Sequence, residues 1–395
     1  MTYFLIGDCV KKIFLILICM FFLIPFVKAE EISTNTLAPN AKSSILIEES
    51  TGKILYEYNS HEKLNPASMT KMMSLLLIME NIEKGVIKWE DMITVTENAS
   101  GMGGSQILLE TGEQMSVEDL VKGVAIASGN DAVVALAETI AGTEENFVKM
   151  MNDKVNKLGL KDTNFKNCHG LDEENHYSSA YDMAMIAKEL VKHEKILEFS
   201  KIYETYLREN TDRKIWLVNT NKLVRFKEGV DGLKTGYTAS AGYCLTATMK
   251  KDDMRVIATV MGESDSKTRN NEVSSMLDYA FAQYGLDKLL SKDSVIKKVK
   301  VNKGKKSELE LVPKEDVTIL YKKVEGKINP DYKIEIDEIK LPIKKGEVIG
   351  TLYLKNGNKI INEIDLTVRE DMEKANIIEL LGKYMKDIIS GNISL

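Results

Sequence analysis

The segment Asn65-Pro66-Ala67-Ser68-Met69-Thr70-Lys71 opens a long, mainly apolar run over residues 72–79. Pro66 favours a first helical turn and cannot extend a helix backwards, so the pattern predicts Ser68 in the opening turn of a buried helix. Lys71, three residues on, shares its face. A hydroxyl beside an amine at the positive end of a helix macrodipole is the arrangement of a serine nucleophile served by a lysine base. The same Ser-x-x-Lys spacing occurs at Ser50/Lys53, Ser60/Lys63, Ser264/Lys267 and Ser294/Lys297. Ser68/Lys71 differs from these in leading into an apolar helical stretch that can fix it in a core.

Upstream, residues 1–29 read as a secretory signal: Lys11 and Lys12 give a basic region, 13–27 an apolar one, and Val27-Lys28-Ala29 a cleavage site before Glu30. An uncleaved membrane anchor is the other reading. Both predict an exported, extracytoplasmic protein at the outer face of the cytoplasmic membrane. Cys19 follows Ile18 rather than a small residue, which argues against lipoprotein processing. Beyond the signal only Cys168 and Cys244 remain, too few for a disulfide framework, so stability has to come from a core. The formal charge of −6 becomes −8 once Lys11, Lys12, Lys28 and Asp8 are removed. An acidic chain without a basic block gives no support to nucleic-acid binding.

Residues 43–58 read as a hairpin turning at Ser50-Thr51-Gly52-Lys53. Ser116-x-x-Asp119 and Ser179-x-x-Asp182 are capping patterns ahead of helical spacing, and 132–140 and 143–158 predict two more helices. Residues 230–261 change to strands and turns, and helical periodicity returns over 272–284. Strands at both ends with helices between them predict an α+β domain, 30–290, whose first and last strands meet in an antiparallel sheet. Short alternating, lysine-rich runs over 291–369, separated by turns such as Asn356-Gly357-Asn358, predict a small all-β domain of mechanical or positional use. In 370–395, Ile377, Leu380, Leu381, Tyr384, Met385, Ile388 and Ile389 fall on one helical face opposite Glu379, Lys383, Lys386 and Asp387. Such a helix lies in a membrane interface or docks on protein; the first is the expectation here.

Two further motifs join Ser68/Lys71. Ser128-Gly129-Asn130 lies in a turn between predicted helices, and Lys234-Thr235-Gly236 lies on a predicted strand. Ser-x-Asn recurs at Ser33/Asn35 and Ser390/Asn392, but order, spacing and setting together fit the serine acyltransferase set. With Gly104-Ser105-Gln106, His169-Gly170-Leu171, Ser179-Ala180-Tyr181-Asp182-Met183 and Gly232 through Thr238, the sequence resembles the low-molecular-mass penicillin-binding proteins that are serine-type D-alanyl-D-alanine carboxypeptidases, of the penicillin-binding protein 5 and DacF type. The likeness covers nearly the whole chain past the signal. It departs at Cys168, where relatives commonly have proline, a change expected to alter a loop only.

The resemblance implies a β-lactamase/penicillin-binding-protein-like transpeptidase fold followed by a β-domain and a membrane-binding tail. It implies attack by Ser68 on the bond between two D-alanines of a peptidoglycan stem peptide, with Lys71 as base, Ser128 relaying a proton and Asn130 holding substrate or Lys71. The Lys234 cation, with partial burial, is expected to depress the Lys71 pKa. Lys234, Thr235, Gly236 and Tyr237 would meet the substrate, with Arg269 helping to hold its carboxylate. β-Lactams would acylate the same serine. A β-lactamase shares the three motifs but needs a further glutamate, for which no dedicated segment stands out. A non-catalytic exported wall-binding protein with a degenerate site is the reading from another class. No cofactor is called for, and the four histidines offer no helical His-x-x-x-His pair, so no metal site is expected.

Overall fold

The computed structural model describes residues 37–389; the signal reading of 1–29 lies outside them. β1 (Ser43–Glu48) and β2 (Ile54–Tyr58) form the expected hairpin. Ala67–Thr70 then make a single 3-10 turn that passes into α1 (Lys71–Glu83), so Ser68 sits just ahead of the α-helix proper. The cause is local: the Met69 N–H donates to the Pro66 carbonyl at 3.1 Å, an i→i+3 bond that tightens the turn. α1 is buried through most of its length, which is why its apolar residues show no single face.

A short hairpin of β3 (Met92–Thr94) and β4 (Gln114–Ser116) leads to α2 (Val117–Ala127), capped as expected by the Ser116 hydroxyl on the Asp119 N–H. α3 (Asn130–Ala141), α4 (Glu144–Lys157), α5 (Ala180–Leu190) and α6 (Glu194–Ser200) follow, with Ser179 capping α5. β5 (Glu204–Leu207) and β6 (Ile215–Val218) pair as a second hairpin. It falls in residues 194–229, for which no element is predicted above. Its strands are four residues each, too short for a clear alternation.

β7 (Val230–Thr238), β8 (Gly242–Lys251) and β9 (Met254–Glu263) complete an antiparallel sheet of order β2-β1-β9-β8-β7. The first strand thus meets the last, with Ile45 opposite Thr259. Alternation along the strands builds a core on each face. Ile45, Ile47 and Ile257 join the helical layer, while Leu46, Val256, Ala258 and Val260 pack with Val273, Met276 and Leu277 of α7 (Ser266–Gln283). α7 begins six residues before the predicted 272, because its opening residues Ser-Lys-Thr-Arg-Asn-Asn carry no apolar period. Its start is fixed instead by the Asp265 side chain, which accepts from the N–H groups of Lys267 and Thr268.

β10 (Tyr284–Leu290) grows directly from α7 and pairs with β13 (Val317–Lys322), so the β-rich region begins at 284 rather than at 291. Between them run β11 (Lys297–Lys300) and β12 (Glu308–Pro313); beyond lie β14 (Asp331–Ile336), β15 (Gly350–Asn356) and β16 (Lys359–Val368). These make a second sheet of order β11-β12-β16-β15-β14. The chain's described part ends in α8 (Ile377–Ile389). No helix among the described residues is long and apolar enough to cross a membrane.

Candidate active site

The site is built where the Ser68 turn is pressed between β7 and the loop at Gly170. Ala67 adopts φ +47°, a conformation that non-glycine residues avoid, and the Asn65 side chain holds it by accepting the Ala67 N–H at 2.9 Å. A Cβ on Gly236 would stand 2.7 Å from the Pro66 carbonyl oxygen. One on Gly170, whose φ is +89°, would stand 1.9 Å from the Ala67 carbonyl oxygen. Both glycines are therefore dictated by close backbone approach to the serine.

Lys71 is fully buried. Its Nζ lies 3.1 Å from Ser68 Oγ, and donates to Asn130 Oδ1 and to the His169 carbonyl, each at 2.6 Å. Burial pushes its pKa down to about 7, opposed by the Asp131 carboxylate. The expected direction holds but not the expected cause: loss of water acts first, and burial is complete rather than partial. Lys234 is also buried, its amine held well below the usual lysine range by burial, then by Lys71 and Arg269. Lys234 Nζ donates to the Thr235 carbonyl at 3.1 Å. Lys71 and Arg269 thus each lie within electrostatic reach of Lys234.

Asn130, at the start of α3, donates its side-chain N–H to the Gly103 carbonyl at 2.6 Å and its backbone N–H to the Ser105 carbonyl at 2.7 Å. These bonds tie the Gly104-Ser105-Gln106 loop to Lys71. Ser128 closes α2 in a left-handed conformation, φ +65°, with its hydroxyl buried and without a hydrogen-bond partner among the described residues. Thr235 donates to the Thr220 hydroxyl at 2.8 Å. Tyr237 is exposed, with its ring 4.3 Å from that of Tyr243. Arg269, on the first turn of α7, is buried and points to the Asn270 side chain and the Cys244 carbonyl.

Several contributors carry no motif. The His169 carbonyl, the Gly170 approach and the Thr220 hydroxyl act through backbone or through a contact distant in sequence; the His169-Gly170-Leu171 string was the sequence signal for the first two, and Thr220 had none. Cys168, expected to affect a loop only, is buried beside Lys71, and burial with Glu144 nearby holds its thiol well above the usual range, so it stays neutral there. Cys244 is buried on β8, its thiol pushed up to about 11 by burial. The histidines serve other partners: His61 with Asp162, His169 with Glu144, His176 with Thr70 and His193 with Glu83. Among the described residues no three His, Cys, Asp or Glu side chains are grouped to hold a metal ion.

Known proteins share this architecture. Residues 30–265 match the family model described as D-alanyl-D-alanine carboxypeptidase, and residues 284–374 match that of the penicillin-binding protein 5 C-terminal domain. The chain is 54% identical over 365 residues to D-alanyl-D-alanine carboxypeptidase DacF of Bacillus subtilis, covering 92% of this chain and 93% of that one. It superimposes on penicillin-binding protein 5 from Haemophilus influenzae with a TM-score of 0.69 and 35% identity, over 85% of this chain and 98% of the other. Penicillin-binding protein D2 from Listeria monocytogenes, solved in an ampicillin-bound form, matches at 27% identity and TM-score 0.55, covering 61% of this chain and 98% of that one. With its three motifs gathered at one buried lysine, and with relatives of this kind along nine-tenths of its length, the chain belongs to the D-alanyl-D-alanine carboxypeptidase family, as an enzyme that carries the penicillin-binding protein 5 C-terminal domain.

Proposed function

We propose that Ser68 is the nucleophile of this carboxypeptidase and Lys71 its base. The observation that carries the reading is the fully buried amine that meets Ser68 Oγ, Asn130 Oδ1 and the His169 carbonyl. As a neutral amine, Lys71 satisfies the two carbonyl oxygens with its two N–H bonds, and its lone pair is left facing the serine O–H. As an ammonium it has no lone pair to accept a proton. Its pKa of about 7 keeps much of it neutral under physiological conditions.

In the first half-reaction, Ser68 Oγ bonds to the carbonyl carbon between the two D-alanines while its proton passes to Lys71. The C–N bond breaks as the proton moves on to the departing D-alanine amine, with Ser128 as relay; its unpartnered hydroxyl supports that role. Water then attacks the ester and gives a proton to Lys71, which passes it to Ser68 Oγ as the ester C–O bond breaks and the shortened stem peptide leaves. The backbone N–H groups of Ser68 and Tyr237 receive the developing oxyanion, a contribution of roughly 3 kcal/mol per donor in hydrolases of this chemistry. Lys234, Thr235 and Arg269 receive the terminal carboxylate. Among the described residues Arg269 hydrogen-bonds to the Asn270 side chain and the Cys244 carbonyl, and its charge acts on Lys234, which supports a place for both at the carboxylate.

β-Lactams, with a strained amide beside a carboxylate, acylate the same oxygen in this reading. Mass spectrometry after incubation with penicillin tests it directly. One penicilloyl group on a peptide containing Ser68 is expected, lost in Ser68→Ala together with D-alanine release. An adduct elsewhere, or turnover by Ser68→Ala, sinks the assignment. An adduct lasting well beyond seconds separates the enzyme from a β-lactamase. We further infer that the chain is exported by residues 1–29, that α8 lies on the outer face of the cytoplasmic membrane, and that the β-domain spaces the cleft from that surface.

A further inference from the structure

Asn65 stands where three stretches of chain meet. Its backbone has little freedom: Leu64 exchanges both hydrogen bonds with Ser178, at 2.8 and 2.9 Å, and Pro66 restricts the residue before it to extended conformations. Its side-chain amide is fully engaged. Oδ1 accepts the Ala67 N–H at 2.9 Å, while Nδ2 donates to Asp172 Oδ1 and, at 3.1 Å, to Ser240 Oγ. A carboxylate can only accept and a backbone N–H can only donate, so these partners dictate which way the amide is turned. The bond to Asp172 is charge-assisted, the stronger kind.

The two partners of Nδ2 belong to different walls of the Ser68 site. Asp172 follows closely on Gly170, which backs the Ala67 carbonyl, and on His169, whose carbonyl holds Lys71. Ser240 lies in the turn between β7 and β8, just past Tyr237. Between these walls Ala67 keeps its φ of +47°. Asn65 fixes the peptide plane before Ala67 through its N–H, and Gly170 closes on the plane after it at the carbonyl. In a trans peptide the Ser68 N–H points opposite to the Ala67 carbonyl, so the way Ala67 is held sets the direction of that donor. A strained residue persists only while its surroundings over-determine it.

We propose that Asn65 is a positioning residue for acylation, tying the Asp172 and Ser240 walls to the nucleophile turn and so keeping the Ser68 N–H aimed at the reacting carbonyl. It acts through Ala67 rather than on the reacting atoms. The inference rests on the Ser68 reading. In Asn65→Asp one oxygen still accepts from Ala67, but the other faces the Asp172 carboxylate, and like charges replace a hydrogen bond. In Asn65→Asp/Asp172→Asn the bridge re-forms with its polarity reversed: the amide at 172 donates, and the Ser240 hydroxyl turns to donate as well.

Stopped-flow labelling with a fluorescent penicillin, resolved into initial binding and an acylation rate constant, is the test. Asn65→Asp is expected to lower the acylation constant about thirtyfold with initial binding within about twofold. Asp172→Asn keeps an acceptor for Asn65 and loses at most about threefold, and Asn65→Asp/Asp172→Asn returns to within about threefold of the parent. Misfolding shows as a smaller labelled fraction, not as a smaller rate constant. A parent-like constant for Asn65→Asp, a loss confined to initial binding or to the labelled fraction, or no recovery in the exchange variant overturns the proposal. Should Asn65→Asp label too little to be timed, the exchange variant decides: a near-parent constant supports the bridge, and failure to label overturns it. A parent that is not labelled on Ser68 sinks the Ser68 reading and the proposal with it, whereas a labelled parent without the recovery sinks the proposal alone.

Discussion

Lys71 has the properties of a base because three oxygens meet its amine where water does not reach. Burial lowers its pKa to about 7, so the neutral fraction rises from about one-tenth at pH 6 to nine-tenths at pH 8. Penicillin acylation should follow, rising through about pH 7; a rate flat from pH 6 to 8 would remove Lys71 from the role. Lys71→Arg cannot deprotonate and should acylate at least about a thousandfold more slowly, as stopped-flow with a fluorescent penicillin would show. Ser68, Lys71 and Asn130 were legible in the sequence because side-chain types at fixed spacing announce their chemistry. The His169 carbonyl was not, since every residue has one. Nor was the buried pair of Glu263 and Glu272, whose buried oxygens Glu263 Oε1, Glu263 Oε2 and Glu272 Oε2 have no hydrogen-bond partner among the described residues. Burial, then Glu272, pushes Glu263 up to about 9. The folded state therefore keeps a proton that the unfolded chain releases above about pH 4.5, and stability drains away as pH climbs from there to about 9. Glu263→Gln should melt several degrees higher than the parent at pH 8, with a smaller gain at pH 5; equal gains at both would refute the linkage.

At the scale of elements, the serine is held by two strand and loop backbones that come too close for any side chain. Gly236→Ala puts a methyl 2.7 Å from the Pro66 carbonyl oxygen, and that oxygen is backbone, so β7 or the Ser68 turn has to move. A displacement on the order of 1 Å at reacting groups costs about a hundredfold in rate. The variant should therefore fold and acylate about a hundredfold more slowly; a rate within threefold of the parent would show that the approach does not matter. The Lys-Thr-Gly glycine, readable as a motif, thus acquires a physical reason that no string of letters carries. The hairpin β1–β2 and the three last sheet strands were legible from alternation and turn residues. β5–β6 was not, because its register and its two faces emerge only once Leu207 and Leu217 have a core to enter. The early start of α7 shows the same thing from the other side: Asp265 announces the helix, but a polar first turn hides it from any periodicity.

At the scale of the molecule, the helix α8 stands apart from the sheets that precede it. Ile377, Ile378, Leu381, Ile388 and Ile389 are each at least 61% exposed, and Tyr384 and Met385 are 55% exposed. Among the described residues its hydrogen bond to the β-domain is from Lys383 to the Gly304 carbonyl at 3.3 Å, while Asn376 and Glu379 cap its start with each other. Burying one such aliphatic side chain contributes roughly 1.5–3 kcal/mol, so leaving this face in water opposes solubility and favours an occupant. The amphipathic spacing, legible in the sequence, suits a bilayer interface, where the apolar face enters and the lysines stay at the headgroups. Ending the chain after Asn376 removes that face without touching the Ser68 site, which lies in the first domain. The full chain should sediment with vesicles of phosphatidylglycerol and phosphatidylethanolamine and the shortened one remain in the supernatant, while both release D-alanine from a soluble tripeptide at rates within about twofold. Should the full chain instead form a dimer without lipid and the shortened one a monomer, the face belongs between two copies. The β-domain would then space a pair of clefts from each other rather than one cleft from a membrane.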